Sequence, residues 1–246
     1  MLDGKYLSAI ITAAGSGNRM NSQINKPYLT IENKKIIELT LDKVSKIENF
    51  DEIILVIRKE DREIVEKILE KYPKKISYVF GSTTRELSTF EGLKALNKKC
   101  QLVLTHDGVR PFASLDLFKK VLEELKLYKA VISATKSKDT IKIVDENMLV
   151  DFTPNRDYVY NIQTPQAFDK KLLFSMYEKY VESEFKITDD SQLFEFFKRD
   201  IPVKVVDGEY SNIKITTKED ILFAKAYIKS LEDEEFYENR NRLWCS

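Results

Sequence analysis

Six short apolar runs, each separated from the next by a stretch of helical periodicity, constrain this chain more than any other feature. Residues 6–13, 52–58, 76–80, 102–105, 131–135 and 203–206 predict strands, and residues 36–47, 61–71, 88–97, 115–128, 170–180 and 189–198 predict amphipathic helices. Strand and helix in alternation require a mostly parallel, twisted sheet with helices on both faces, an α/β three-layer domain of the Rossmann-like kind. Continuous apolar strands such as I-I-L-V-I are what two-sided burial demands. A chain of 246 residues can bury such a core, and its 40 Lys plus Arg balance its 40 Asp plus Glu. That balance leaves no overall field to recruit nucleic acid or an anionic membrane, so anion binding must come from a local cluster. Two cysteines without metal-type spacing, no membrane-length apolar run and no signal-peptide core predict a cytoplasmic protein.

In a sheet of this kind ligands bind beyond the carboxyl ends of the strands. Three loops follow strands there and converge on one crevice. The first is A-A-G-S-G-N-R-M, residues 13–20, with Lys26 close behind. Its small residues let backbone N–H groups approach phosphate oxygens, and Arg19 and Lys26 supply charge, so it reads as a polyphosphate cradle. It is not a P-loop, since G-x-x-x-x-G-K-[ST] is absent, nor a dinucleotide fingerprint, since Met20 stands where a third small residue is needed. The second loop, G-S-T-T-R from Gly81 to Arg85, leads to a helix whose expected N-cap is Ser88. The third, T-H-D-G-V-R-P, residues 105–111, places Asp107 and Arg110 on one turn, where they could bind metal, hydroxyl or phosphate, or pair with each other. His106, the only histidine, reads as packed rather than catalytic, because no Ser or Cys nucleophile motif accompanies it.

The alternation breaks at residues 138–163, where three period-two segments, 139–144, 148–152 and 157–162, predict a projecting β-arm. Its strand edges invite pairing with a second copy, which predicts a homodimer. Thr188 with Asp189 and Asp190 reads as an N-cap followed by first-turn acids, and Thr217 as the cap of the last helix. The nucleotide-binding body spans residues 1–230, and residues 231–246 form a charged tail, a helix extension or a loose end.

Taken together and in order, A-A-G-S-G-N-R-M with Lys26, Arg85-x-x-Ser88, H-D-G-V-R-P, D-T-I-K, N-R-D-Y-V-Y-N-I-Q-T-P-Q, I-T-D-D and E-Y-S-N-I-K-I-T-T resemble the cytidylyltransferases that couple CTP to a polyol phosphate. The blocks span residues 9–226. Within that resemblance T-H-D-x-V-R-P-F and G-E-Y-S-N-I-K-I-T-T favour the ribitol-5-phosphate enzymes of the teichoic-acid type. The alternative is the 2-C-methyl-D-erythritol 4-phosphate enzymes of isoprenoid synthesis, where A-A-G, D-T-I-K and T-D-D-S are equally at home. Pro27 and the G-S-T-T loop depart from both patterns.

The resemblance implies a nucleotide site of Thr12, Ala13, Ala14, Gly15, Ser16, Gly17, Gly81, Arg85, Ser88 and Gly108, with Arg19 and Lys26 stabilising the charge on the α-phosphate and leaving pyrophosphate. It implies that Arg156, Thr188 and Lys214 grip the acceptor phosphate, while Asp107, Arg110 and Thr140 line its pocket. Mg²⁺ is expected with the triphosphate, and Asp107 is a candidate metal ligand. Arg156 lies on the predicted arm and would reach a neighbouring subunit. Two other functions stay open: a non-catalytic nucleotide-binding dimer, and a sugar-phosphate nucleotidyltransferase, which would not need the T-P-Q and N-I-K-I-T-T blocks.

Overall fold

Ile10 and Ile11 are adjacent and both fully buried, one in the apolar cluster on each face of the sheet, because successive residues of a strand point to opposite sides. The same two-sided burial runs through Ile53–Ile57 and Val103–Leu104, and each such side chain contributes about 1.5–3 kcal/mol to folding. A computed structural model describes residues 1–15, 25–73 and 75–244. The elements run β1 (Tyr6–Thr12), β2 (Thr30–Ile31), β3 (Lys34–Lys35), α1 (Ile36–Val44), β4 (Glu52–Ile57), α2 (Arg62–Leu69), β5 (Ile76–Phe80), α3 (Arg85–Ala95), β6 (Cys100–Asp107) and α4 (Leu115–Leu125). They continue with β7 (Ala130–Lys136), β8 (Ile143–Val144), β9 (Val150–Phe152), β10 (Tyr160–Asp169), α5 (Lys170–Val181), α6 (Gln192–Phe197), β11 (Val203–Asp207) and α7 (Lys218–Trp244).

The chain forms one α/β domain around a seven-stranded sheet of order β11-β7-β10-β6-β1-β4-β5. All pairings in it are parallel except those of β10, which runs antiparallel to both β6 and β7. One face is covered by residues of α1, α2 and α4, the other by residues of α3, α5 and α6. A third small cluster, with Ile31, Ile36, Phe112, Ile215 and Ala224, packs the start of α7 against the β2–β3 hairpin. Side-chain caps fix the entries of three helices: Thr84, Ser114 and Asp169 accept from the amides of Leu87, Leu117 and Leu172. Thr217 accepts from the amide of Asp220 at the start of α7, as expected.

Three expectations change. The segment at 157–162 is not confined to the arm: β10 begins there exposed, then becomes buried from Gln163 and runs inside the sheet between β7 and β6. Helix α3 starts one turn earlier than predicted, capped by Thr84, and Ser88 lies inside it, buried. Thr188, Asp189 and Asp190 precede α6 rather than opening it. The arm keeps a two-stranded hairpin of β8 and β9, and the tail continues α7.

Candidate active site

Strands β1 and β6 are paired in register so that Thr12 and Asp107, their last residues, are neighbours at the carboxyl edge of the sheet. Asp107 is the focus of the site. It is buried, yet its carboxylate meets Lys214 Nζ at 2.9 Å, Arg85 Nε at 3.3 Å and Arg110 Nε at 3.4 Å. Burial opposes ionisation of this carboxyl, but Arg85, Lys214 and Arg110 together hold it well below the usual carboxylate range. Asp107 is therefore a fixed anion that gathers three cations at the strand ends.

Arg85 is the first residue of α3, so the Thr84 cap sets where its side chain leaves the backbone. Its Nη1 donates to Asp190 Oδ1 at 2.9 Å. Asp190 is fully buried and also accepts from Thr105 Oγ1 and from the Tyr177 hydroxyl, each at 2.7 Å. Burial alone would depress the Arg85 guanidinium, but Asp190 and Asp107 outweigh it and keep the group firmly charged. Burial and the nearby Asp190 carboxylate raise the Tyr177 phenol well above its ordinary value, so it stays a hydrogen-bond donor.

Lys214 reaches Asp107 because the segment after β11 folds back over the sheet. Ile215 N–H donates to Val109 O at 2.9 Å, and Arg110 Nη1 to Asn212 O at 2.8 Å. Buried Asn212 donates through Nδ2 to Gln163 Oε1 at 3.2 Å and to Thr164 O at 2.9 Å, and Gln163 Nε2 donates to Glu209 O at 2.8 Å. Polar side chains of β10 thus tie the lysine segment to the sheet centre.

His106 is buried with both ring nitrogens engaged. Its Nε2 faces Arg110 O at 3.1 Å, and a carbonyl can only accept, so the proton sits on Nε2. Nδ1 then accepts from the Thr164 hydroxyl at 3.0 Å, while the same hydroxyl accepts the Asp107 amide at 3.0 Å. Burial lowers the imidazole to a pKa of about 4 against the pull of Asp107. The histidine is a structural brace, as the sequence implied.

Two adjoining cavities flank the Asp107 cluster. One of about 270 Å³ is lined by Thr12, Ala14, Gly15, Lys26, Arg85, Ser88, Lys214 and neighbours. The other, of about 250 Å³, is lined by Arg85, Asp107, Arg110, Gln163, Thr164, Gln166, Thr188, Asp189 and Lys214 among others. Arg85 and Lys214 line both. Five of the ten expected nucleotide residues, Thr12, Ala14, Gly15, Arg85 and Ser88, therefore line the first cavity, and four of the six expected acceptor residues line the second.

Other predicted residues stand elsewhere. Ala13 is buried beside the first cavity, its amide bonded to Val56 O. Gly81 and Gly108 make room rather than line it: a Cβ on Gly81 would lie 2.6 Å from Ala14 Cβ, and one on Gly108 would lie 2.8 Å from Ile37 Cδ1. Thr140 and Arg156 are exposed on the arm, outside both cavities. Ser16, Gly17 and Arg19 lie outside the described residues. Asp107 does not fit the role of metal ligand, because Lys214, Arg85 and Arg110 already engage its oxygens, and among the described residues no group of three acidic, His or Cys side chains could hold a metal ion.

Asp190, Thr164, Gln163 and Asn212 were not foreseen. All four lie in blocks that carry the family resemblance, Q-T-P-Q, I-T-D-D and S-N-I-K, but the blocks assign them no role; buried polar groups are hydrogen-bonded, so their polarity asks for partners that only the fold supplies.

The sequence model of the 2-C-methyl-D-erythritol 4-phosphate cytidylyltransferase (IspD) family matches residues 7–230. A curated enzyme of that name from Clostridium botulinum strain 657 is 39% identical over 226 residues, covering 91% of this chain and 98% of its own. The crystal structure of 4-diphosphocytidyl-2C-methyl-D-erythritol synthase from Anaerococcus prevotii DSM 20548 is 68% identical and superposes with a TM-score of 0.86 over 93% of this chain and 98% of that one. The 2-C-methyl-D-erythritol 4-phosphate cytidylyltransferase of Francisella tularensis is 30% identical, with a TM-score of 0.76 over 89% of this chain and 98% of that one. These names correct the balance between the two branches: they belong to the methylerythritol branch, not to the ribitol branch that the motifs favour. The chain belongs to the 2-C-methyl-D-erythritol 4-phosphate cytidylyltransferase family and is a CTP-dependent nucleotidyltransferase.

Proposed function

We propose that the chain transfers the cytidylyl group of CTP to the phosphate of 2-C-methyl-D-erythritol 4-phosphate and releases pyrophosphate. The names of its relatives support that acceptor. The observation that carries the reaction is the shared wall: Arg85 and Lys214 line both cavities, so an anion in each would meet the same pair of cations.

CTP occupies the first cavity, with its triphosphate over Thr12, Ala14 and Gly15 and near Lys26. Arg19, from the same motif, serves the triphosphate as well. The acceptor lies in the second cavity, its phosphate gripped by Lys214 and Thr188 and its hydroxyls by Asp107 and Arg110. A phosphate oxygen of the acceptor attacks the α-phosphorus, the bond to the β-phosphate oxygen breaks, and the electron pair leaves with pyrophosphate. A phosphate monoester is largely dianionic near neutral pH, its second pKa being about 6, so the nucleophile needs no base. His106, fully engaged and held near pKa 4, is not placed to supply one. The chemistry reduces to bringing two polyanions together in line, and fixed cations do that.

A divalent cation accompanying CTP would be held by phosphate oxygens, since Asp107 is committed to its cations. Bound there, it would neutralise charge on the triphosphate. A homodimer joined through the arm accounts for Arg156, which is exposed on the arm and lines neither cavity of its own chain.

Incubation with CTP, Mg²⁺ and either 2-C-methyl-D-erythritol 4-phosphate or ribitol 5-phosphate tests the assignment. Pyrophosphate should appear with the first and at most slowly with the second. Faster turnover of ribitol 5-phosphate would reverse the acceptor, and no release with either would end the catalytic reading.

A further inference from the structure

Arg85 carries five N–H donors, and two of them are committed, Nε to Asp107 and one on Nη1 to Asp190. Three remain on a side chain that lines both cavities. What aims them is a carboxylate from the segment that precedes α6, on the face of the sheet that α3 also covers. Asp190 is fully buried, lines neither cavity, and is itself fixed from two directions, by Thr105 of β6 at Oδ2 and Tyr177 of α5 at Oδ1. The Tyr177 ring is held in turn by stacking on Phe90 of α3, with centroids 5.4 Å apart and planes 8° from parallel. Asp107 and Asp190 therefore hold the guanidinium at two of its nitrogens, one from the strand tip and one from beneath α5.

We propose that Asp190 is a positioning residue for cytidylyl transfer: it touches neither substrate but fixes the Arg85 guanidinium at the wall between the nucleotide and acceptor cavities. The proposal rests on the reading of the two cavities given above. Its physical basis is that an arginine with one anchor sweeps a range of rotamers, whereas one with two opposed anchors presents its remaining donors in one plane before any ligand arrives. Preorganised donors stabilise a transition state without reorganising at the moment of reaction. A second consequence concerns charge. With Asp190 in place Arg85 is balanced and attracts phosphate only through its free donors, so neither polyanion is trapped at the wall; without it, Arg85 gains a free charge and can collapse onto a bound phosphate or onto Asp107.

A double-mutant cycle separates this from a purely structural role. Asp190→Asn keeps a carbonyl oxygen that can accept from Tyr177 at the Oδ1 position and turns an amide N–H toward Thr105, whose hydroxyl can accept it, while removing the charge facing Arg85. With Arg85 present it should lower kcat/KM for the acceptor by about tenfold, and in an Arg85→Gln background by no more than about twofold, because the two residues act as one unit. Equal losses in both backgrounds, or wild-type kinetics for Asp190→Asn, would overturn the proposal. Should Asp190→Asn fail to fold, Tyr177→Phe keeps the carboxylate and the ring packing while removing one bond to Oδ1. It should reproduce a smaller loss that again vanishes with Arg85→Gln, and unchanged kinetics there would count equally against the idea. Calorimetric CTP titration of the same four proteins keeps the two readings apart. A wild-type protein that releases no pyrophosphate ends the transferase assignment, whereas Asp190→Asn altering CTP affinity only when Arg85 is present still supports the positioning role.

Discussion

His106 stands one residue before the focal aspartate, its ring 5.0 Å from that of Phe118 and both nitrogens bonded, and this makes it a built-in acid sensitivity. Its folded pKa of about 4 lies below the ordinary 6.5. Above pH 6.5 the ring is neutral folded or unfolded, and the group costs nothing. As pH falls from 6.5 toward 4, the unfolded chain binds a proton that the folded chain refuses, so stability drops, by about 3 kcal/mol once pH is below 4. Protonation would also set an Nδ1–H against a Thr164 hydroxyl that already accepts the Asp107 amide. Thermal melts between pH 7.5 and 5 should show the midpoint falling, with a shallower slope for His106→Gln; parallel slopes in the two proteins would assign the loss elsewhere. The sequence marks this residue as packed because no nucleophile motif accompanies it. The partners that make it so, Thr164 and a carbonyl four residues on, are a matter of tertiary placement. Arg85 is the opposite case. Its presence in a loop after a strand is visible in the sequence, but Asp190 sits 105 residues away and reads locally as a helix-start acid.

Elements whose signal is a continuous apolar run, such as β1 and β4, lie within a residue or two of where periodicity puts them. Strand β10 does not, because Q-T-P-Q puts three polar side chains and a proline where an interior strand is expected to be apolar and to donate at every residue. The structure reconciles this with a register shift between Gln163 and Gln166, where the missing proline donor falls between ladder bonds, and by turning Gln163 and Gln166 onto partners from other elements. The start of α3 is ambiguous for a different reason: Thr84 and Ser88 are both hydroxyls able to cap, one turn apart. Ser88 instead accepts from Ser82 N–H at 3.0 Å and donates to Thr84 O, stitching the loop to the helix. Gly81 lets that stitched turn lie against the first cavity. A Cβ there would come within 2.6 Å of Ala14 Cβ and 2.7 Å of Ser88 Oγ, forcing apart two residues that line the first cavity. Gly81→Ala should therefore cost about 1–3 kcal/mol of stability and weaken CTP binding severalfold, read by denaturant melts and calorimetry. Unchanged CTP affinity in a folded Gly81→Ala protein would mean that these walls do not contact the nucleotide.

At the scale of the whole molecule the zero net charge means that polyanion binding depends on where the cations are gathered, and the fold gathers Arg85, Arg110 and Lys214 on one carboxylate. Arg156 stands apart from them on the arm, whose Met148, Leu149, Val150, Phe152 and Tyr158 side chains are all more than half exposed. Apolar groups presented side by side on a projecting hairpin call for a covering surface, and a second copy of the chain would supply it while carrying Arg156 to the partner's acceptor cavity. Subunit complementation tests both ideas at once. Arg156→Ala and Lys214→Ala proteins should each lose about a hundredfold in rate, as expected for removal of one charge-stabilising group. In a heterodimer purified through two different tags, the site that keeps its own Lys214 receives Arg156 from the partner subunit, so one site in two is complete and the rate should return to about half that of wild type. A heterodimer as inactive as its parents would place Arg156 outside the partner's site, and sedimentation as a monomer would remove the arm as an interface.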